Sequence, residues 1–234
     1  MISFKNFRFR KIKPITFFDE KPIVNLLVLF FSFMVIALSP YLDIFISGAF
    51  FKDGNFLFKN NIIFNFVDKY FPHILVLISL SVFLLWLAGY FNSKKWIFYI
   101  NTKAMWFLCG TMLIGPLIIV NGLFKTFWGR ARPKDIIEFG GDKIFSPAMI
   151  ISDQCRWDCS FVSGHTSVAF WLIALALVMP EKHRKAYVWA AFVIGVFVAF
   201  VRIAQGYHFF SDVFFAGVVT TYVIWIMYYY LKPN

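Results

Sequence analysis

Three short polar clusters interrupt an otherwise apolar chain, and their residue types suit the handling of a phosphate. The first is Lys125-Thr126-Phe127-Trp128-Gly129-Arg130-Ala131-Arg132-Pro133, the second Ser163-Gly164-His165, and the third Arg202 followed by His208 and Asp212. Lys125, Arg132 and Arg202 supply cations, and the forked donors of a guanidinium match phosphoryl oxygens. Ser163 and Gly164 stand just ahead of an apolar run read as a helix, where unpaired backbone N–H groups and the positive dipole end favour an anion. His208 and Asp212 are four residues apart, so on one helical turn the carboxylate can reach one imidazole nitrogen and leave the other free as a nucleophile or base. His165 can then give a proton to a departing oxygen.

The elements that must position these residues lie in a membrane. Of 234 residues, 60% are apolar and only 15% charged, with mean hydropathy +0.71, which excludes an ordinary soluble domain. Apolar runs at roughly 23–40, 73–91, 104–124, 161–180, 186–201 and 212–231 each approach a bilayer thickness. They predict an all-α, polytopic integral membrane protein: a bundle of six transmembrane helices in one domain over 23–234, behind a basic tail over 1–22. About 22 residues precede the first run and no small-x-small cleavage site follows it, so it reads as a retained anchor. A tight helical hairpin is expected around Glu181-Lys182-His183-Arg184-Lys185.

Twenty-three basic and 12 acidic residues give a net charge of +11, a balance that elsewhere points to nucleic acid. Their placement points to topology instead. The tail holds Lys5, Arg8, Arg10, Lys11, Lys13 and Lys21; Lys94, Lys95 and Lys103, then Lys182, Arg184 and Lys185, then Lys232 fall on the same side. Because Lys and Arg resist translocation, that side is expected to be cytoplasmic. Span three then exits at Lys125, span four enters at His165, span five exits at Arg202 and span six enters near Asp212. All three clusters meet on one outer face.

Between the first two spans, Ile62, Ile63, Phe66, Val67 and Tyr70 share one helical face, with Asn60, Asn61, Asn65, Asp68 and Lys69 facing away. This predicts a helix lying in the outer interface against lipid headgroups; a loop packed on the bundle is the plainer alternative. Cys155 and Cys159, i and i+4 on the outer face, are placed to form a disulfide over the site, with two free thiols as the alternative; Cys109 lies in an apolar run. Arg130, off the spacing of the other cations, reads as snorkelling or touching a headgroup. Trp128, Trp157 and Trp171 read as an aromatic belt, and His73 and His183 as non-functional. No metal-ligand spacing is visible.

Lys125-x6-Arg132-Pro133, Ser163-Gly164-His165 and Arg202-x5-His208-x3-Asp212 together resemble the tripartite signature of the type 2 phosphatidic acid phosphatase superfamily of lipid phosphatases and haloperoxidases. Val162 stands where the second motif usually has proline, and Val201 where the third usually has a small hydroxylic residue. The resemblance implies that His208 is the nucleophile, oriented by Asp212, and passes through a phosphohistidine. It implies that His165 protonates the leaving alkoxide and later activates water, while Lys125, Arg132, Ser163, Gly164 and Arg202 hold the phosphoryl oxygens. It implies no metal and no other cofactor. The stretch from Phe139 to His165 is similar to the branch that includes bacterial lipid A phosphatases, which implies a phosphorylated membrane lipid as substrate and a periplasm-facing site in the inner membrane. Loss of the 1- or 4′-phosphate of lipid A is the leading expectation, ahead of undecaprenyl pyrophosphate, phosphatidylglycerol phosphate or transfer to a lipid acceptor. A non-enzymatic transporter or lipid-binding scaffold would not need an acid beside an oriented nucleophile.

Overall fold

The computed structural model describes residues 22–91 and 101–233. The basic stretch 1–21 and Lys94 and Lys95 lie outside them. The described residues form α1 (Pro22–Gly48), a short hairpin of β1 (Phe51–Lys52) and β2 (Asn55–Phe56), α2 (Ile62–Phe91), α3 (Thr102–Phe127), α4 (Gly164–Leu177), α5 (Glu181–Ala204) and α6 (Phe210–Leu231). Five of these helices are long and apolar enough to cross a bilayer, and α4 is the shorter sixth. Their outward faces carry apolar side chains such as Leu26, Phe33, Phe45, Phe83 and Phe197, as a lipid-facing surface requires.

Prolines shape three of the helices. The apolar run expected to end near Pro40 continues helically to Gly48. A helical proline leaves the carbonyl four residues back without its donor; here Ser39 Oγ donates to that carbonyl, Ile36 O, at 3.0 Å. The stretch expected to lie apart in the interface is the first two turns of α2, continuous with the span. Its apolar residues Ile62, Ile63, Phe66 and Tyr70 are exposed, while on the other side Asp68 is half-buried and Asn65 accepts from Gln205 Nε2 at 2.9 Å. Pro72, inside α2, leaves the carbonyl of Asp68 free.

Segment Leu113–Phe124 of α3 is wound as a π-helix containing Pro116, and Asn121 Nδ2 donates to Pro116 O at 2.7 Å. The widened turn brings Asn121 against the start of α4, where a Cβ on Gly164 would meet Asn121 Oδ1 at 2.6 Å; only glycine fits. α4 begins at Ser163, whose side chain accepts from Thr166 N, and is interrupted at Trp171. Trp171 is fully buried and donates to Leu108 O at 3.0 Å, so it belongs to the core rather than to an aromatic belt. The hairpin between α4 and α5 is tight, and Glu181 to Lys185 form the first turns of α5 rather than the connection itself. Buried Arg184 donates there to Met179 O at 3.2 Å.

Candidate active site

The ends of all six helices that carry polar residues converge on one end of the bundle. Asp43 of α1, Asp68 of α2, Lys125 of α3, His165 of α4, Arg202 of α5 and Asp212 of α6 are joined there through the segments 128–163 and 205–209. The three sequence clusters thus come together at one end of the bundle.

His208 lies in the turn between α5 and α6, held by backbone bonds from Tyr207 N and His208 N to Arg202 O at 3.1 and 3.3 Å. Its Nδ1 is 2.7 Å from the carbonyl of Ser160. A carbonyl only accepts, so Nδ1 carries the hydrogen and Nε2 keeps its lone pair. Nε2 is buried and without a partner among the described residues. Burial, followed by the positive charges of Arg202, Arg132 and Lys125, holds the His208 imidazole well below its ordinary range. An uncharged, tautomerically fixed nitrogen inside a ring of cations is the arrangement a nucleophile toward phosphorus needs.

Asp212 does not orient this ring by a direct hydrogen bond; its Oδ2 is 3.7 Å from Nδ1. The same oxygen accepts from Ser160 Oγ at 2.5 Å and from Phe209 N at 2.8 Å, which caps α6, and Oδ1 accepts from Arg130 at 2.5 Å. Ser160 therefore couples the two: its hydroxyl goes to Asp212 and its carbonyl to His208, while its N–H donates to Arg130 O at 2.9 Å.

Arg130 neither snorkels nor meets solvent. It is fully buried between two carboxylates, with Nη2 to Asp43 at 2.8 Å and Nη1 to Asp212, and it donates to Ser146 O at 2.7 Å and Ser211 Oγ at 2.8 Å. Ser211 returns its N–H and hydroxyl to Asp43 at 2.9 and 2.6 Å. Each carboxylate oxygen of Asp43 and Asp212 has at least one donor, the condition under which a buried ion cluster can persist.

His165 Nε2 lies 3.0 Å from Asp68 O and 3.2 Å from Asp68 Oδ1. The carbonyl is the one that Pro72 leaves without a helix donor. Both partners accept, so Nε2 carries a hydrogen and proton exchange falls to Nδ1. The Asp68 carboxylate also pairs with Arg202 Nη1, whereas Arg202 Nε is buried without a partner among the described residues. Arg202 and Arg132 flank the Tyr207 ring at 4.4 and 5.6 Å. Ser163 accepts from Thr166 Oγ1 at 2.9 Å, so its own hydroxyl hydrogen is free to donate outward.

Lys125 and Arg132, expected to bind phosphate, both hold the carboxylate of Asp158. Asp158 belongs to the segment closed by a Cys155–Cys159 disulfide, with the Cα atoms 5.6 Å apart. Asp43, Asp68, Asp158, Ser160 and the structural role of Arg130 were not legible as site features. Lone ionisable residues at the ends of apolar helices were the available signal for Asp43 and Asp68. Among the described residues there is no group of three or more His, Cys, Asp or Glu arranged to hold a metal.

Residues 104–234 match the model of the PAP2 superfamily. The chain is 36% identical over 212 residues to the lipid A 4′-phosphatase of Francisella tularensis subsp. novicida, covering 88% of this chain and 93% of that protein. It is 39% identical over 104 residues to the lipid A 4′-phosphatase of Rhizobium leguminosarum, covering 44% of this chain and 45% of that protein. Its fold resembles the crystal structure of a transmembrane PAP2 type phosphatidylglycerolphosphate phosphatase from Bacillus subtilis, with TM-score 0.55 and 18% identity over 88% of this chain and 95% of that one.

Proposed function

The chain belongs to the PAP2 superfamily and is a membrane lipid phosphatase, and from that premise we propose that it removes a phosphate from lipid A at the periplasmic face of a bacterial inner membrane. The names of its relatives favour the 4′-phosphate over the 1-phosphate. The observation that carries the chemistry is the buried, unpartnered Nε2 of His208, fixed as a lone pair by the Ser160 carbonyl.

In this reading His165 enters the reaction protonated at both nitrogens beside the Asp68 carboxylate; His208 Nε2 attacks phosphorus, the bond from phosphorus to the ester oxygen breaks, and the departing alkoxide takes the Nδ1 proton of His165. Water then attacks the phosphohistidine and gives a proton to His165, which releases orthophosphate and restores Nε2. Lys125, Arg132, Arg202, the Ser163 hydroxyl and the Gly164 N–H face the phosphoryl oxygens as charge develops. Asp212 acts through Ser160 and through the start of α6. No step in the scheme uses a metal.

The apolar surroundings fit a lipid. A cleft of about 470 Å³ between α1, α5 and α6 is lined by Phe50, Phe200, Ile203, Phe210, Val213 and Phe214. Ile203 and Phe210 flank the turn that carries His208, so tails lying in the cleft would bring a headgroup phosphate to that turn. The positive-inside bias supports the periplasmic placement.

Two measurements test the proposal. Purified protein should release phosphate from lipid A in EDTA, His208→Ala should not, and an acid-labile phosphoenzyme should be trapped only when His208 is present. Mass spectrometry should find one extra phosphate on lipid A in cells lacking the gene. Unchanged lipid A with altered polyprenyl or glycerol phosphates would redirect the substrate; activity surviving His208→Ala would refute the nucleophile.

A further inference from the structure

Arginine and lysine heads sit on long, flexible side chains, and in this protein one ring gathers three of them beside His208. Arg202 Cζ lies 4.4 Å, Lys134 Nζ 4.7 Å and Arg132 Cζ 5.6 Å from the centre of the Tyr207 ring. Tyr207 immediately precedes His208, and its N–H is one of the two that close their turn onto Arg202 O. The segment that carries Arg132 is tied to the same turn by Lys134 N, which donates to Gly206 O at 3.0 Å. These bonds place the main chain, but an arginine head can still move between rotamers. Lys134 is exposed and pairs with no carboxylate among the described residues, so its place over the ring reflects the pull of the ring itself. A carboxylate that holds such a head, as Asp158 holds Arg132 and Asp68 holds Arg202, occupies N–H groups that a phosphate would use. An aromatic face attracts a guanidinium without neutralising it and leaves its in-plane N–H donors free.

We propose that Tyr207 is a positioning residue whose ring fixes Arg132 and Arg202, and through them the phosphorus atom, against His208 Nε2. The proposal rests on the reading of Arg132 and Arg202 as phosphate contacts. A phosphate bound to Arg132 takes the place of Asp158, which supplies all the hydrogen-bond acceptors that Arg132 has among the described residues. The ring then remains as the contact that keeps the guanidinium over the turn. Because the ring holds the cations both with and without phosphate, its contribution largely cancels from phosphate affinity. What it sets is where the bound phosphorus lies, since the ring and the attacking nitrogen belong to neighbouring residues of one turn. A misplacement of about 1 Å between reacting atoms can cost about a hundredfold in rate.

The test is phosphate release from lipid A by the full-length protein in detergent, beside calorimetric titration with orthophosphate. Tyr207→Phe keeps the ring and should retain kcat within about twofold. Tyr207→Leu should lower kcat about thirtyfold while the orthophosphate Kd stays within about threefold. Tyr207→4-cyanophenylalanine keeps the shape of the ring but withdraws electrons from its faces, and should lower kcat about fivefold. That variant also carries the test should the leucine variant fail to fold. In an Arg132→Gln background, Tyr207→Leu should cost clearly less than it does in wild type. A cyanophenylalanine variant as active as Tyr207→Phe, or a leucine loss that is the same with and without Arg132, would overturn the proposal and leave Tyr207 as packing for the His208 turn. Orthophosphate binding lost in parallel with kcat would also overturn it, because the cations would then have collapsed rather than shifted. Orthophosphate binding indifferent to both Arg132→Gln and Arg202→Gln would refute the phosphate contacts themselves, a result separate from any effect of the ring.

Discussion

Removing the charge of Arg130 is the sharpest test of how the site is held. Arg130→Met keeps an unbranched chain of similar reach but leaves Asp43 and Asp212, both fully buried, facing each other without their shared cation. It also leaves Ser146 O and Ser211 Oγ without the donors they have at 2.7 and 2.8 Å. Removing one partner of a buried ion pair costs about 3–5 kcal/mol. For a chain of this size that corresponds to a fall in Tm of about 6–20 °C. Phosphate release should fall by about a hundredfold as the Asp212–Ser160–His208 chain loses its anchor. The assay is thermal unfolding in detergent beside phosphate release, with Asp43→Asn and the double variant as the remaining corners of a cycle. Asp43→Asn should cost stability in wild type but recover about 1–3 kcal/mol in the Arg130→Met background, since it removes one of the two uncompensated charges. A cost below about 1 kcal/mol for Arg130→Met, or strictly additive costs in the double variant, would show that the cluster does not act as a unit.

Pro72→Ala restores an N–H that competes with His165 for the Asp68 carbonyl; it should raise the melting temperature while lowering kcat about tenfold with little change in KM, part of what a positioned general acid contributes. A kcat equal to wild type would remove Pro72 from the mechanism. Because His208 titrates below its ordinary value of about 6.5, the neutral nucleophile persists as pH falls through that value. The acid limb of kcat/KM should therefore lie below pH 6.5 and move upward in Arg132→Gln, which removes one of the cations disfavouring the charged ring; a limb that moves down contradicts the assignment. Gly164→Ala places a methyl 2.6 Å from Asn121 Oδ1 and should cost about 1–3 kcal/mol in thermal unfolding, relieved in Asn121→Ala.

The misread residues share one cause. Asp43 lies beyond Pro40, where the apolar run reads as ended, and nothing local announces that Ser39 supplies the missing donor to Ile36. Asp68 fell on a helix face that the pattern assigned to solvent; its partners His165 and Arg202 are about a hundred residues or more away in the chain. Arg130 differs in spacing from the other cations, and its four partners come from three separate parts of the chain, which no local pattern displays. Trp171 sits in the middle of α4, where lipid contact and core packing leave the same composition. The proposed reactive residues are legible for the opposite reason: polar groups are costly in hydrocarbon, so their presence at span ends already marks a candidate site.

The sequence by itself determined the membrane-spanning class, the apolar helices, the single end at which the motifs meet, and the identities of His165, His208 and the three cations. Hydropathy and the alternation of spans are local or additive properties, which a linear chain can display. Tertiary structure decided which acceptor fixes each imidazole, that Asp212 reaches His208 through Ser160, and that Asp158 lies across Lys125 and Arg132. Hydrogen bonds are short and directional, so their pairing depends on how helices distant in sequence come together, and spacing along the chain does not encode it.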